Sequence, residues 1–460
     1  MTFSIARKEF RDTWRDGRFR WAAAIVLVLL GVAFLLARQQ VEHQRDEREA
    51  ATKMERDNWL NQGKKNAHAA AHYGVYVFKP VAPLSVFDRG LQPFVGNTVY
   101  LEAHRQNQAA FLPAQDATSM RRFGDLTAAA CLQLLVPLLI ILLAFGTLAG
   151  ERESGTLRQV LSLGVRPTSL VFGKTLGLGG ALALLLLLPV AGGGIYALSG
   201  ISGMDAAGEE SVLRLCLMAC AYLLYLGAIL VICITVSALA PTSRSALSIL
   251  LVFWAANAVL APRLASDLAQ WSHPTPKLAD FDANLLEARK QVLNSHNPNS
   301  EAMKKFIEKN RDASGKLPGN FRVLLMQESE RQTNLVYEKH FGGLWDLMEA
   351  QDEVVTWAGL AAPLLGLRSA SVALAGTDFT HHRHFSIAAE EHRREFIRML
   401  NSSHGASGRE LWEKLPPFRY QPPPLSQAVS AAMPGLIVLC LWLAGGCAAL
   451  YFASRRLKPS

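Results

Sequence analysis

Three places in this chain hold side chains whose type and spacing suggest chemistry. In Asp378 to Phe385, DFTHHRHF, the histidines His381, His382 and His384 crowd beside an acid, and imidazoles with a carboxylate are the donors of a zinc site. Three histidines so close along a chain rarely all turn onto one ion. The competing reading is a polar helix start or a contact within a domain, so these three stand as metal candidates with no metal assigned. His68 and His72, four apart, share a helix face, but no Glu or third His follows at zinc-site spacing. That leaves two solvated histidines. The third place, Gly173-Lys174-Thr175, looks like the tail of a phosphate-binding loop. The motif needs a glycine five residues before Gly173, so that backbone amides can wrap phosphate, and Thr168 stands there with no strand before it. Lys174 is therefore expected as a lysine at a membrane edge. No G-x-S-x-G, HExxH or paired-carboxylate arrangement occurs elsewhere, so no catalytic residue and no cofactor of this chain's own is expected.

The elements that must carry these residues are mostly apolar. Half of the 460 residues are hydrophobic, and they concentrate in six blocks at 21–37, 126–149, 176–199, 213–240, 246–262 and 431–453. Each is near the roughly 20 residues that a spanning helix needs. Apart from Arg214 at the edge of the fourth, none holds Asp, Glu, Lys or Arg, which argues against a proton-relay or ion-coupled transporter. All six cysteines fall in the blocks as small buried apolar groups, leaving no disulfide framework outside them. The net charge of +9 sits largely beside the blocks, where topology explains it better than nucleic acid does.

Residues 1–20 place Phe3, Phe10, Trp14 and Trp21 along one stripe flanked by Arg7, Arg11, Arg15 and Arg18, as in a helix lying in membrane lipid at the interface. The basic start is too long for a cleaved signal and no A-x-A site follows, so the N-terminus is expected in the cytoplasm. Alternation then puts 38–125 outside, 150–175 in the cytoplasm, 200–212 outside, the turn 241–245 in the cytoplasm, 263–430 outside and the tail 454–460 in the cytoplasm. Residues 200–212 carry Asp205, Glu209 and Glu210 in a short outer turn. Asn257 in the fifth block is expected to bond a neighbouring helix as packing glue. The segment 75–97 is extended or loop-like. Residues 357–376 resemble a seventh span, but Arg368 sits at their middle, so they are read as a helix buried in the outer domain or resting on the bilayer. KLPPFRYQPPPL is a proline-rich strut leading to the last span. The fold expected is an all-α integral membrane protein: six transmembrane helices with a mainly helical extracytoplasmic domain built from two insertions.

Between the second and third blocks lies TLAGERESGTLRQVLSLGVRPTSLVFGKT, with Leu157, Val160 and Leu161 at helical spacing. Thr156 and Gln159 fit a capping box for a helix starting at Leu157, Gly164 a left-handed stop, and Pro167 the first turn of the next helix. A capped amphipathic helix is more than a connector needs, so a partner is expected to dock there.

The run Gly150-Glu151-Arg152-Glu153-Ser154-Gly155-Thr156-Leu157 resembles the permease subunits of type-2 ABC exporters, whose second and third spans bracket a cytoplasmic E-x-x-x-G-T-L signature. Ala6-Arg7-Lys8-Glu9-Phe10, Asp16-Gly17-Arg18 and Ala375-Gly376-Thr377-Asp378 look like a bacterial subgroup with large periplasmic insertions, related to copper-enzyme-maturation and gliding permeases. The usual proline near Gly164 appears here only at Pro167. The resemblance implies a multi-pass protein of the inner membrane, pairing with a second permease copy or paralogue and with separate ABC ATPase subunits that hold ATP and magnesium. It makes Glu151, Glu153, Gly155, Thr156, Leu157, Val160 and Leu161 the ATPase-coupling residues. The function expected is export. The alternatives are mechanotransmission to a periplasmic partner without transport, a membrane-anchored binding or sensing protein, and a periplasmic metal enzyme using His381, His382 and His384.

Overall fold

A computed structural model describes residues 1–113, 126–198, 208–295, 297, 300–312, 314–403 and 406–457. Most of the expected outer turn at 200–212 lies outside the described residues, as does Lys458. Helix α1 (Thr2–Arg15) stops at Asp16, whose carboxylate accepts from the Arg18 amide and so caps α2 (Gly17–Leu60). At 1.5 Å per residue the 44 residues of α2 extend about 66 Å, roughly twice the hydrocarbon thickness. The first span and the charged run after it are thus one rod.

Short α3 (Ala67–Tyr73) leads into an antiparallel hairpin of β1 (Val75–Phe78) and β2 (Thr98–Leu101), the only sheet among the described residues. The second span is α4 (Ala128–Glu153), followed by α5 (Thr156–Ser162), α6 (Pro167–Leu198), α7 (Gly208–Leu239) and α8 (Ser243–Ser272). Beyond come α9 (Leu278–Ser295), α10 (Glu301–Lys309), α11 (Phe321–Trp357), α12 (Pro363–Ala375), α13 (Phe379–Ser402), α14 (Arg409–Lys414) and α15 (Leu425–Arg455). Six of these helices, α2, α4, α6, α7, α8 and α15, are long and apolar enough to cross a membrane. The protein is an all-α, multi-pass membrane protein.

The two long insertions form one lobe. Trp59 at the end of α2 packs edge-on against Trp412 of α14 and against Phe396 of α13, and its indole donates to the Trp412 carbonyl at 3.1 Å. These aromatics, with Ala70, Ala71 and Leu400, make a core separate from that of the bundle.

Two spans contain a π turn, Cys131–Leu135 in α4 and Ala256–Leu260 in α8. The physical cause is in the sequence. Pro137 and Pro262 follow them, and a helical proline ring clashes with the carbonyl four residues back, here Gln133 and Ala258. Widening the helix removes the clash and leaves polar backbone free to bond sideways.

Helix α12 corrects the expectation of a helix in the outer domain or on the bilayer. Its 13 residues, about 20 Å long, are too short to span, yet they are almost wholly buried against α7 and α15 in the bundle core. Gly366 and Gly435 make the close crossing with α15 possible. A methyl group on Gly435 would lie 2.4 Å from the Gly366 carbonyl oxygen.

Candidate functional site

The end of the bundle around residues 145–175 is built by three consecutive side chains. Glu151 accepts an ion pair from Lys174 Nζ at 2.9 Å, and the same ammonium reaches Glu9 of α1 at 2.7 Å. Arg152 donates to the Ala240 carbonyl and, at 2.6 Å, to the Ala238 carbonyl, covering the C-terminal end of α7. Glu153 accepts from the Ser243 amide at 3.1 Å and the Ser243 hydroxyl at 2.6 Å, at the N-terminus of α8. Glu151, Arg152 and Glu153 thus tie α4 to α6, through Lys174 to the middle of α1, and to the adjoining ends of α7 and α8. Where α4 loosens before them, the Ser237 hydroxyl accepts from the Leu148 and Ala149 amides and donates to the Phe145 carbonyl.

Lys174, expected at a membrane edge, is 4% exposed between two carboxylates. Gly173 of the same tripeptide serves packing. With Gly177 it lets α1 lie directly on α6, where a methyl group on either would sit 2.8 Å from Ile5 or 2.6 Å from the Ala6 carbonyl.

Helix α5 begins at Thr156, and the expected capping box is absent. Gly155, at φ +76°, precedes the helix with no side-chain cap, and the Thr156 hydroxyl donates instead to the Glu151 carbonyl at 3.2 Å. Gly155 turns back too sharply for a threonine cap to form, a backbone conformation glycine adopts without strain. Gly164 takes the left-handed stop (φ +82°) and Pro167 opens α6 as expected. Leu157 and Leu161 face inward and join the bundle core, with Val160 packed beside them. The face turned outward carries Arg158, Gln159, Ser162, Leu163 and Arg166; Leu163 is 82% exposed. Sequence reasoning missed it because an apolar stripe looks the same whether its partner is its own bundle or another chain.

At the opposite end the π turns aim polar groups at α12. Gln133 accepts from Arg368 Nε at 3.2 Å and donates to the Tyr222 hydroxyl at 3.1 Å. The Gln133 carbonyl, released by its π turn, accepts from Tyr225. Asn257 donates to Tyr225 and accepts from the Leu364 amide at the start of α12, so it is the inter-helix glue expected of it. Ser371 bonds Asp88 and Tyr222.

The histidine groups sort differently from their sequence spacing. Asp378 caps α13 by accepting from the His381 amide at 3.0 Å and holds His381 Nδ1, the polar helix start weighed above. His384 Nδ1 meets the Tyr420 hydroxyl at 3.1 Å, while burial, with the nearby Lys79, drives His382 down to about 3. The three rings turn to three surroundings and do not converge. His68 and His72 gain a third histidine, His104, with ligand atoms within 4.8 Å of one another. No spacing signal could have linked His104 to them.

A cavity of about 990 Å³ lies between α2, β1 and the proline strut, beside the lobe-facing end of α7. Arg48, Lys79 and Arg214 face it together with Trp59, Phe78 and Phe418. Burial lowers Lys79 to about 8, and Arg48 Nε and His381 Nε2 are buried without a hydrogen-bond partner. Glu55 and Glu210 line it as well, and Glu210 pairs with Arg214 at 2.9 Å, so the cavity combines aromatic walls with a mixed-charge rim in which cations outnumber acids.

A family model described as ABC-2 family transporter protein matches residues 3–308, and one described as a domain of unknown function (DUF3526) matches residues 282–421. No curated protein matches the chain.

Proposed function

The chain belongs to the ABC-2 family of transporter proteins, and on that premise we propose that this membrane subunit is the permease of an ATP-driven exporter in a bacterial inner membrane. ATP hydrolysis takes place on separate ATPase subunits, which seat on α5 from the cytoplasm, and a second permease copy or paralogue completes the membrane part. The observation that carries this reading is the tie made by Glu151, Arg152 and Glu153 to four other helical elements. A force applied to a free loop is lost in that loop. Applied to α5, it reaches α1, α6, α7 and α8 together, which is what rigid-body rocking requires.

In this reading Leu157, Val160 and Leu161 anchor the coupling helix, and Leu163 with Arg158 forms its contact with the ATPase. Glu151, Glu153, Gly155 and Thr156 hold its entry. The exposed aromatics Phe3, Trp14 and Trp21 rest in membrane lipid. The cavity with its cationic wall is where an exported anion with an apolar body would be held.

The test is ATP turnover in the complex purified from native membranes. Leu163→Asp with Arg158→Glu should remove it while the permease stays folded. A wild-type chain purified with no ATP hydrolysis would sink the reading. A second reading, mechanotransmission, is favoured by α2, which is first span and lobe strut in one unbroken helix. Tilting that span moves the lobe with no substrate crossing. ATP-dependent accumulation of substrate in vesicles separates the two.

A further inference from the structure

We propose that His68, His72 and His104 form a three-imidazole site for a borderline divalent transition metal, with zinc as its probe and one coordination position left open. The inference is independent of the coupling reading. Its basis is the way the fold brings a distant histidine onto a helical pair. His68 and His72 lie one turn apart on α3, with rings 4.8 Å between centroids. Gly74, at φ +61°, ends that helix and turns the chain into β1, and a methyl group there would lie 2.6 Å from the Leu101 carbonyl oxygen. The hairpin register pairs Val75 with Leu101, so the chain leaving β2 comes back beside α3. The Ala103 amide then donates to the Ala71 carbonyl at 3.0 Å, which pins the next residue, His104, against the helix.

His104 is held in a backbone conformation that side chains rarely adopt, φ +62°, and both its backbone and its ring are fixed by one residue. Its amide donates to Glu330 Oε1 at 3.2 Å, and the same carboxylate oxygen engages Nδ1. Glu330 is buried, and Arg393 faces its other oxygen at 3.6 Å. A carboxylate accepts only, so the ring proton sits on Nδ1 and the Nε2 lone pair is left for a ligand. A histidine whose second nitrogen is bonded to a carboxylate is the arrangement that orients metal-binding imidazoles.

The three donor atoms, within 4.8 Å of one another, must draw in to the roughly 3.4 Å that tetrahedral zinc–nitrogen bonds of about 2.1 Å impose. His68 and His72 lie exposed on α3, while His104 is the fixed member. Three imidazoles without a thiolate suit zinc, nickel or copper and do not suit magnesium or calcium.

The experiment is zinc titration of the full chain in detergent against a chromophoric chelator, with magnesium as the control metal. One zinc per chain is expected. His72→Ala should weaken it at least tenfold with an unchanged melting temperature, since the side chain lies on the surface. His104→Asn, which keeps a residue tolerant of the left-handed backbone, should weaken zinc binding likewise. Glu330→Gln should weaken binding about 10–100-fold without abolishing it. A wild-type chain that takes up no zinc at micromolar concentration overturns the site. So does zinc held equally by His72→Ala and His104→Asn, or zinc lost only on His381→Ala.

Discussion

The two ends of the helical bundle are held by different kinds of interaction. At the end carrying α5, full charges tie the elements together: Lys174 between Glu9 and Glu151, Arg152 on the end of α7, Glu153 on the start of α8. At the lobe end, mostly neutral groups bond around α12: Gln133, Asn257, Tyr222, Tyr225 and Ser371, with Arg368 and Asp88 the ionisable members. Charged ties to helix ends make several rods move as one. Hydrogen bonds at π turns can be exchanged between partners as the rods shift. On the export reading proposed above, one end receives the push and the other yields to it.

Breaking the charged end should have the largest effect. Lys174→Met strands two carboxylates in a closed site, and removing one partner of such a pair costs about 3–5 kcal/mol. Thermal melts in detergent should show the loss, and a melt equal to wild type would mean that the charges do not hold that end. At the neutral end, Asn257→Leu leaves the Leu364 amide buried and unpaired, for about 1–3 kcal/mol. If it cost as much as Lys174→Met, the distinction between the ends would fail.

Within the lobe the effect should depend on pH. His382 is pushed to about 3, below its unfolded value near 6.5. Between those values the unfolded chain binds the extra proton, so stability is present at neutral pH and lost on acidification. Asp352, raised to about 6 by burial and the nearby Asp378 and Glu349, contributes in the opposite sense between about 4 and 6. The difference between wild type and His382→Gln isolates the histidine. It should shrink by about 1–2 kcal/mol from pH 7 to pH 5. A difference that stays constant with pH would place the ring in water.

The smallest change in stability should come from Leu163→Asp, within about 0.5 kcal/mol, because the side chain touches little. That variant nonetheless should lose ATPase coupling. Leu157→Ala, by contrast, should cost about 2–5 kcal/mol through its buried cavity. If Leu157→Ala left the fold intact and abolished only coupling, the inward and outward faces of α5 would have to be exchanged.

Much of the bundle was legible from the chain alone. Runs of apolar residues near the length of a bilayer crossing are a one-dimensional signal, and all six emerge as long helices. Gly164 and Pro167 were legible for the same reason, since a left-handed stop and a helical first turn are local demands on single residues. Gly155 was harder. Its left-handed turn displaces the Thr156 cap that spacing suggested. The π turns were written in Pro137 and Pro262, but the proline signal reads as a kink until it is known that Gln133 and Asn257 need to face α12.

Length, composition and periodicity by themselves determined the number of spans, the helical class and the presence of a special element between the second and third spans. They act over a few turns of chain, and so does the physics that decides them. Only the tertiary structure decided which way α5 faces, that Lys174 sits between two carboxylates, and which histidines meet. His381, His382 and His384 are crowded in sequence and do not converge, because His382 points away from the other two and Asp378 and Tyr420 engage His381 and His384 separately. His68, His72 and His104 are spread along the chain and converge, because a hairpin register and one backbone hydrogen bond fold the chain back on itself. Convergence is a property of long-range contacts, and no local spacing carries it.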